Sequence, residues 1–213
     1  VADAVCANLP SNFVDQSTTA TGTIDTWNWD FENNGSIDAT AQNPSNTYIS
    51  SGVYQANLSV SNTHGCSDDT TVSVTVNPLP TAAIAGTSTV CQGDAAPTVT
   101  FTGSNGTAPY TFTYNLNGGA AQTIISVGNT ATLAAPTGTV GTFDYNLLSV
   151  ADASATACSQ AQIDLATVTV SPLPTATIAG TIIVCQGDAA PTITFTGANG
   201  TAPYTFTYNL NGG

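Results

Sequence analysis

Two stretches of this sequence, 94 residues apart, are almost the same. Residues 78–81 (Pro-Leu-Pro-Thr) recur at 172–175, and residues 91–94 (Cys-Gln-Gly-Asp) recur at 185–188. Across 78–119 and 172–213, 37 of 42 positions are identical. Near-identity at a fixed offset indicates tandem duplication, and a chain built in this way folds as a row of similar units. We predict a first unit at 1–77, a second at 78–171 and a third at 172–213, which holds only the first part of a repeat and should continue in further sequence.

Apolar and polar side chains alternate along much of the chain, and no segment shows the 3.6-residue apolar period of an amphipathic helix. Alternation with a period of two is typical of half-buried antiparallel strands. Turn clusters such as Asn33-Asn34-Gly35 and Asn117-Gly118-Gly119 separate the strands at the spacing of a β-sandwich. The fold class predicted is therefore all-β, with tandem Ig-like β-sandwiches. The alternating segments are 27–31, 54–60, 72–76, 99–101, 110–114 and 168–170.

The unit boundaries at 74–80 and 168–174 share one pattern, in which the last strand runs directly into two prolines. Proline lacks a backbone donor and has a fixed φ, so it ends the strand and stiffens the connection. We expect short, semi-rigid joints that stack the units into a rod.

The chain has no Lys or Arg, one His and 13 acidic residues, which gives a formal net charge of −13. Binding to nucleic acid, or to anionic lipid through a polybasic segment, needs clustered cations. Apolar runs are too short to span a bilayer. The sequence therefore excludes nucleic acid as a partner and predicts no membrane insertion.

Five cysteines are distributed with a regular relation to the units. Cys6 and Cys91 lie near the starts of the first and second units, and Cys66 and Cys158 lie just before their last strands. We predict the disulfides Cys6–Cys66 and Cys91–Cys158, with Cys185 paired to a cysteine beyond the end of this sequence. Such pairs indicate an oxidising, extracellular setting. The alternative interpretation is five buried free cysteines.

Three motifs of the first unit resemble the PKD domain. They are Trp-Asn-Trp-Asp-Phe at 27–31, Asn-Pro-Ser-Asn-Thr-Tyr at 43–48 and Gly-Val-Tyr-Gln-Ala-Asn-Leu-Ser-Val-Ser-Asn at 52–62. This resemblance implies an Ig-like sandwich with Trp29 in the core and no catalytic residues. The later units resemble Ig-like repeats of giant bacterial surface proteins, including gliding-motility adhesins and filaments exported by the type IX route.

The segment 30–38 is the sharpest candidate for a ligand site. Oxygen-bearing side chains alternate, a glycine is sixth and an apolar residue is eighth, as in the first part of a calcium loop. The candidate calcium ligands are Asp30, Glu32, Asn34 and Asp38. The closing glutamate is missing, and a hairpin with Asx-type hydrogen bonds is the favoured alternative. Calcium is the one cofactor considered, and none is required.

Other candidate residues carry weaker signals. His64 lies in a predicted turn, which is a poor place for a catalytic imidazole. Trp27 either joins Trp29 in the core or offers a platform for a sugar ring. Thr70 follows Asp69 in a short pattern that resembles the O-glycosylation signal of type IX secreting bacteria.

These features predict a structural or adhesive repeat module of a long extracellular fibre or filament at a bacterial surface, and no enzyme. The expected partners are copies of itself in a fibre, or glycans of host, prey or surfaces reached through other domains. The alternative function is a spacer or carbohydrate-binding accessory region of a large secreted hydrolase.

Overall fold

The computed structural model describes residues 4–211, which form strands joined by turns and loops. Within this range no helix is long and apolar enough to cross a membrane. The predicted all-β fold of tandem sandwiches is confirmed.

The first unit contains six strands in two sheets. Four strands pair in the order β1-β6-β5-β3, and β2 pairs with β4. β1 runs parallel to β6, whereas β3, β5 and β6 are antiparallel neighbours. The bounds are β1 (Val5–Cys6), β2 (Pro10–Asn12), β3 (Ile24–Asp30), β4 (Ser45–Thr47), β5 (Gly52–Asn62) and β6 (Ser67–Asn77).

Aromatic rings fill the core of the first unit. Trp29 is only 4% exposed, and its ring centroid lies 5.3 Å from that of Phe13. Phe31 lies 4.8 Å from Phe13 and completes the cluster. The Trp29 indole N–H donates to the carbonyl of Ala41 at 3.1 Å, which satisfies its buried donor. The predicted core position of Trp29 is confirmed.

The second unit contains eight strands in two sheets, with orders β11-β10-β13-β14-β8 and β12-β9-β7. β8 runs parallel to β14, as β1 does to β6. The bounds are β7 (Thr81–Ala85), β8 (Ser88–Cys91), β9 (Thr98–Ser104), β10 (Thr111–Leu116), β11 (Gln122–Ile125), β12 (Thr130–Ala134), β13 (Gly141–Ala151) and β14 (Ser159–Ser171).

One glycine of the second unit is required by the packing of a tyrosine. A Cβ at Gly103 would lie 2.5 Å from the Tyr110 ring, which is 2% exposed. The Tyr110 hydroxyl donates to the Gly106 carbonyl at 2.8 Å and accepts from the Gly106 amide at 3.1 Å. The ring is thus held at both ends and cannot move away from a larger residue.

The third unit shows one strand pair, β15 (Thr175–Ala179) with β16 (Thr194–Ala198). Its apolar side chains are far more exposed than their equivalents 94 positions earlier. Ile193 is 48% exposed and Tyr208 is 63% exposed, whereas Val99 is 0% and Tyr114 is 6% exposed. These residues therefore lack the sheet that covers the same positions in the second unit.

The predicted cysteine pairing is wrong. The structure joins Cys6 to Cys158 and leaves Cys66, Cys91 and Cys185 as exposed thiols. The reason is the parallel pairing of the first strand with the last. Cys6 lies beside Asn77 at the end of β6, whereas Cys66 precedes its start.

The length of the last strand separates the two cysteines of each unit. β6 has 11 residues, so its ends are about 35 Å apart, too far for a disulfide. Cys91 and Cys158 are separated in the same way by the 13 residues of β14.

Candidate functional site: the joint between the first two units

The connection between the first two units is three residues long. β6 ends at Asn77 and β7 begins at Thr81. Leu79 packs against the core of the first unit, and Pro80 is buried. A linker anchored in this way has little freedom to bend, in agreement with the stiffness that its prolines impose.

A disulfide crosses the same boundary. Cys6 of β1 and Cys158, which directly precedes β14, are 4% and 1% exposed, and their Cα atoms are 5.6 Å apart. The bond therefore joins the first strand of the first unit to the base of the last strand of the second. We call the linker 78–80, this disulfide and the loop 152–158 the joint.

Asp152 shapes the loop that presents Cys158. Its carboxylate accepts from the Thr107 amide at 3.0 Å and from the Ser154 hydroxyl at 2.7 Å. The Asp152 amide donates to the Cys158 carbonyl at 2.9 Å, which closes the loop. Burial alone would raise the pKa of Asp152, but the hydrogen bonds to its carboxylate outweigh burial and lower it.

Hydrogen bonds reinforce the disulfide. The Asn77 side-chain amide donates to the Thr156 hydroxyl at 2.9 Å across the boundary. The same hydroxyl lies 3.1 Å from the Cys158 sulfur. Asn77 is the last residue of β6, so the polar contact and the covalent bond lie side by side at one end of the first unit.

The joint changes how tension passes along the chain. Cys6 and Cys158 are 152 residues apart in sequence, and the disulfide connects them directly. A pull applied to the two ends of the chain therefore passes from Cys6 through the sulfur atoms to Cys158 and into β14. The intervening residues, which include most of both units, lie outside the covalent path that carries the load.

The segment 30–38 forms a turn whose carboxylates accept backbone amides. Asp30 accepts from the Asn34 amide at 3.0 Å and from the Gly35 amide at 2.6 Å, so both its oxygens are used. Asp38 accepts from the Phe31 amide at 2.7 Å. The carboxylates bind backbone amides, as the hairpin interpretation requires, but the bonds are not the Asx type expected for Asp30 and Asp38, because they reach four, five and seven residues along the chain. Asn33, and not Asn34, shares positive φ with Gly35.

Three of the four candidate calcium ligands also lie together. Oxygens of Asp30, Glu32 and Asp38 lie within 4.8 Å of one another. The side-chain oxygen of Asn34 instead accepts from the Ser36 amide at 2.9 Å. The donor set suits a hard cation in its chemistry, but the Asp30 oxygens already serve the turn. Calcium binding stays a prediction.

The carboxylates of this turn respond to pH in opposite directions. Burial would raise the pKa of Asp30, but amides led by those of Asn34 and Gly35 lower it. Partial desolvation and then the charge of Asp38 raise the pKa of Glu32. Asp30 therefore contributes stability above its ordinary pKa and loses it as the pH falls. Glu32 contributes when protonated, and this contribution is lost as the pH rises through its raised pKa.

We expect Glu32→Gln to raise the Tm of the first unit by roughly 1–3 °C in chelator at neutral pH, because it removes a partly desolvated charge and its repulsion from Asp38 and Asp30. The measurement is calorimetry in chelator and in calcium, with Asp25→Asn, an exposed acid of the same unit, as control. If the turn binds no cation, the variant is more stable in both buffers. If the turn binds calcium, the variant is less stable than the parent in the calcium buffer and more stable than the parent in chelator.

The remaining sequence candidates lie in different places. His64 lies in the exposed turn between β5 and β6. Trp27 packs partly against the core of the first unit, and its indole N–H donates to Asp15 at 2.7 Å. Thr70 lies exposed on β6, opposite Leu58 of β5. The structure does not bring these residues together.

Sequence reasoning missed the residues that build the joint. Asp152 and Ser154, two positions apart, carry the signal of an Asx-type turn. Asn77 and Thr156 carry no signal of their own, because their contact depends on how two units meet. The Cys6–Cys158 pair required the parallel arrangement of β1 and β6, which alternation cannot reveal.

Comparison with known protein families identifies the first unit. The profile of the PKD domain matches residues 2–76. No curated protein matches the sequence significantly. The first unit is thus a PKD-like, Ig-like β-sandwich, followed by further β-sandwich sequence.

Several solved structures are similar to the chain. An I-band fragment of titin has a TM-score of 0.48 at 13% identity, with 91% of this chain and 72% of that chain covered. Fibronectin(III)-like modules of Clostridium thermocellum CbhA have a TM-score of 0.38 at 13% identity, covering 80% and 90%. A protein of the Bacteroides ovatus mixed-linkage glucan utilization locus has a TM-score of 0.25 at 13% identity, covering 87% and 70%.

Proposed function

We propose that this chain is a load-bearing segment of an extracellular fibre or filament at a bacterial surface, with successive units at 1–77, 78–171 and 172–213. The observation that carries the proposal is the Cys6–Cys158 disulfide, which connects two units across their boundary. A bond within one unit would stabilise that unit alone. A bond between units makes the joint itself resist extension, which is the requirement of a fibre under tension.

The chemistry of the chain supports an extracellular place. Disulfides of this structural kind persist in oxidising compartments and are rare where thiols are kept reduced. A chain without Lys or Arg also offers trypsin-like proteases no cleavage site. A giant adhesin or filament exported by the type IX route fits these features, and the exposed Thr70 is accessible to O-glycosylation there.

The third unit supports association with further protein. Ile178, Ile193 and Tyr208 are 64%, 48% and 63% exposed, although their pattern is that of a sandwich core. Uncovered apolar strands tend to pair with other chains or segments. The expected partners are further units of the same kind in the fibre, with glycans of host, prey or surfaces bound by other domains.

The alternative is a spacer or carbohydrate-binding region of a secreted hydrolase. Sugar binding on these units would need an exposed aromatic platform, for which Trp27 was the candidate. Its ring is half-buried against the core and its N–H is already bonded to Asp15. This geometry favours a structural role for Trp27, and the fibre remains the proposed function.

Immunogold electron microscopy of the producing cells tests the proposal, with antibodies raised against residues 1–171. We expect gold particles in rows along threads that leave the cell surface, and no threads when the gene is deleted. Label confined to dispersed, secreted particles that degrade polysaccharide would overturn the fibre and favour the hydrolase accessory region.

A further inference from the structure

Cys91 occupies the same position in the second unit that Cys6 occupies in the first. Cys6 pairs with Asn77, the last residue of β6, and Cys91 pairs with Ser171, the last residue of β14. The amide of the following residue donates to that last residue's carbonyl at 2.8 Å in both units. Two prolines follow within three residues in each case. Cys185 repeats Cys91 in the near-identical third unit.

Cys66 and Cys158 are equivalent in the same way. Each directly precedes the last strand of its unit, and each carbonyl accepts an amide at the end of the preceding strand. The Asn62 amide donates to Cys66 at 3.0 Å, and the Asp152 amide donates to Cys158 at 2.9 Å. The first two units therefore each have a parallel-strand cysteine, on the strand that runs parallel to the last strand, and a last-hairpin cysteine, which directly precedes the last strand. The disulfide joins the parallel-strand cysteine of the first unit to the last-hairpin cysteine of the second.

We propose that the Cys6–Cys158 bond is one step of a repeating inter-unit disulfide and that Cys91 is the site of the next step. Cys91 bonds to the last-hairpin cysteine of the completed third unit of the same chain. By the same rule Cys185 bonds to the unit after that, and Cys66 bonds to the parallel-strand cysteine of a preceding unit. This inference needs tandem units with matching joints, and it does not depend on the fibre role.

A cleft lies beside Cys91, and we expect it to hold the third unit's equivalent of the loop 152–158. It has a volume of about 740 Å³, and its walls include Cys91, Ser171, Gly200, Thr201 and Tyr204. Ser171 holds the place that Asn77 holds at the first joint. The cleft thus places an exposed thiol opposite the third unit, as Cys6 lies opposite the second.

In the second unit, the residues equivalent to those of the cleft already contact the loop 152–158. Thr107, which corresponds to Thr201, accepts from the Ala153 amide at 2.8 Å and donates to Asp152 at 3.0 Å. Gly106 corresponds to Gly200 and contacts Asp152 so closely that a Cβ there would lie 2.8 Å from its carboxylate. The occupant of the cleft is therefore a loop like 152–158, and that loop carries the cysteine.

The bond forms by thiol–disulfide exchange with a small-molecule disulfide. The Cys91 thiolate attacks one sulfur of that molecule and releases one thiol, and the second cysteine then displaces the other thiol from the mixed disulfide. Two protein thiols lose two protons and two electrons, and the small-molecule disulfide becomes two thiols. Because Cys91 is exposed, its thiolate can reach the small-molecule disulfide.

Thiol mapping of the full-length protein, isolated from its source without reductant, tests the proposal. Free thiols are alkylated, and the protein is digested with chymotrypsin because the sequence has no Lys or Arg for trypsin. We expect alkylation of Cys91 to be roughly tenfold lower than in the 213-residue chain, since a disulfide has no thiolate to react. Full alkylation of Cys91, or a bond from Cys91 to Cys158, would overturn the proposal.

A designed extension identifies the partner. A second copy of residues 120–171 is appended after residue 213, with the copy of Gln160 changed to Asn so that its peptide differs in mass. We expect a monomer in which Cys91 is bonded to the copy of Cys158, and Cys6–Cys158 is unchanged. Changing the copied cysteine to Ser should return Cys91 to full alkylation. A folded extension with a free Cys91, or a dimer linked through Cys91, would contradict the assignment.

A failure here is distinguishable from a failure of the fibre proposal. Imaging reports whether the protein forms threads, and thiol mapping reports which cysteines are bonded. Threads formed by a protein with a free Cys91 would support the fibre proposal and contradict the repeating disulfide. A bonded Cys91 in a dispersed protein would support the repeating disulfide and contradict the fibre proposal.

Discussion

Stretching the oxidised chain between its ends should release about 500 Å less length than stretching the reduced chain. The disulfide spans 152 residues, and an extended residue contributes at most about 3.3–3.6 Å. While the bond is intact, unfolding of the residues between Cys6 and Cys158 does not increase the distance between the two pulled ends of the chain. Single-molecule force spectroscopy with and without reductant measures the difference directly.

Serine variants separate the disulfide from other effects of the reductant. Cys158→Ser should show the full extension without reductant, and its Asn77–Thr156 contact is too weak to replace the bond. Cys66→Ser, which alters an exposed free thiol, should behave as the parent does. Equal extension of the parent with and without reductant would show that tension does not run through Cys6 and Cys158.

Trp29→Ala should lower the free energy of unfolding of the first unit by about 3–5 kcal/mol. The indole is 4% exposed, contacts the ring of Phe13 and donates to Ala41, so its removal leaves a cavity and an unpaired carbonyl. Chemical denaturation followed by tyrosine and tryptophan fluorescence measures the loss.

Ile49→Ala is the matched control for the loss of an apolar side chain, because Ile49 is 79% exposed. It should change the stability by less than about 0.5 kcal/mol. The transition of the second unit provides an internal reference, since its core contains none of these residues. A loss below about 1 kcal/mol for Trp29→Ala would contradict the packing described for the first unit.

The fold class could be predicted from the local sequence pattern, because a strand with one buried face alternates apolar and polar residues. Trp29 and Leu58 alternate with polar neighbours, and each faces the core of the first unit. The cysteine pairing could not be predicted in the same way. Equivalent spacing in two units correctly indicated equivalent positions, but only the parallel pairing of β1 with β6 and of β8 with β14 places the two cysteines of a unit at opposite ends of its last strand.

The candidate sites show the same division between local and long-range information. The turn at 30–38 was accessible to sequence reasoning because Asp30 bonds to amides four and five residues away. The joint was not accessible, because Asn77 and Thr156 meet across 79 residues and only once two units are folded. Contacts between units do not produce the alternation of apolar and polar residues by which strands are recognised in a sequence.

Cryo-electron microscopy of the assembly isolated from cells without reductant tests the central claim most directly. A load-bearing array predicts units in one continuous row, with density joining Cys6 to Cys158 at the joint and the same joint recurring at later unit boundaries. Separate globular particles, or units whose relative positions average out because their joints are flexible, would contradict it.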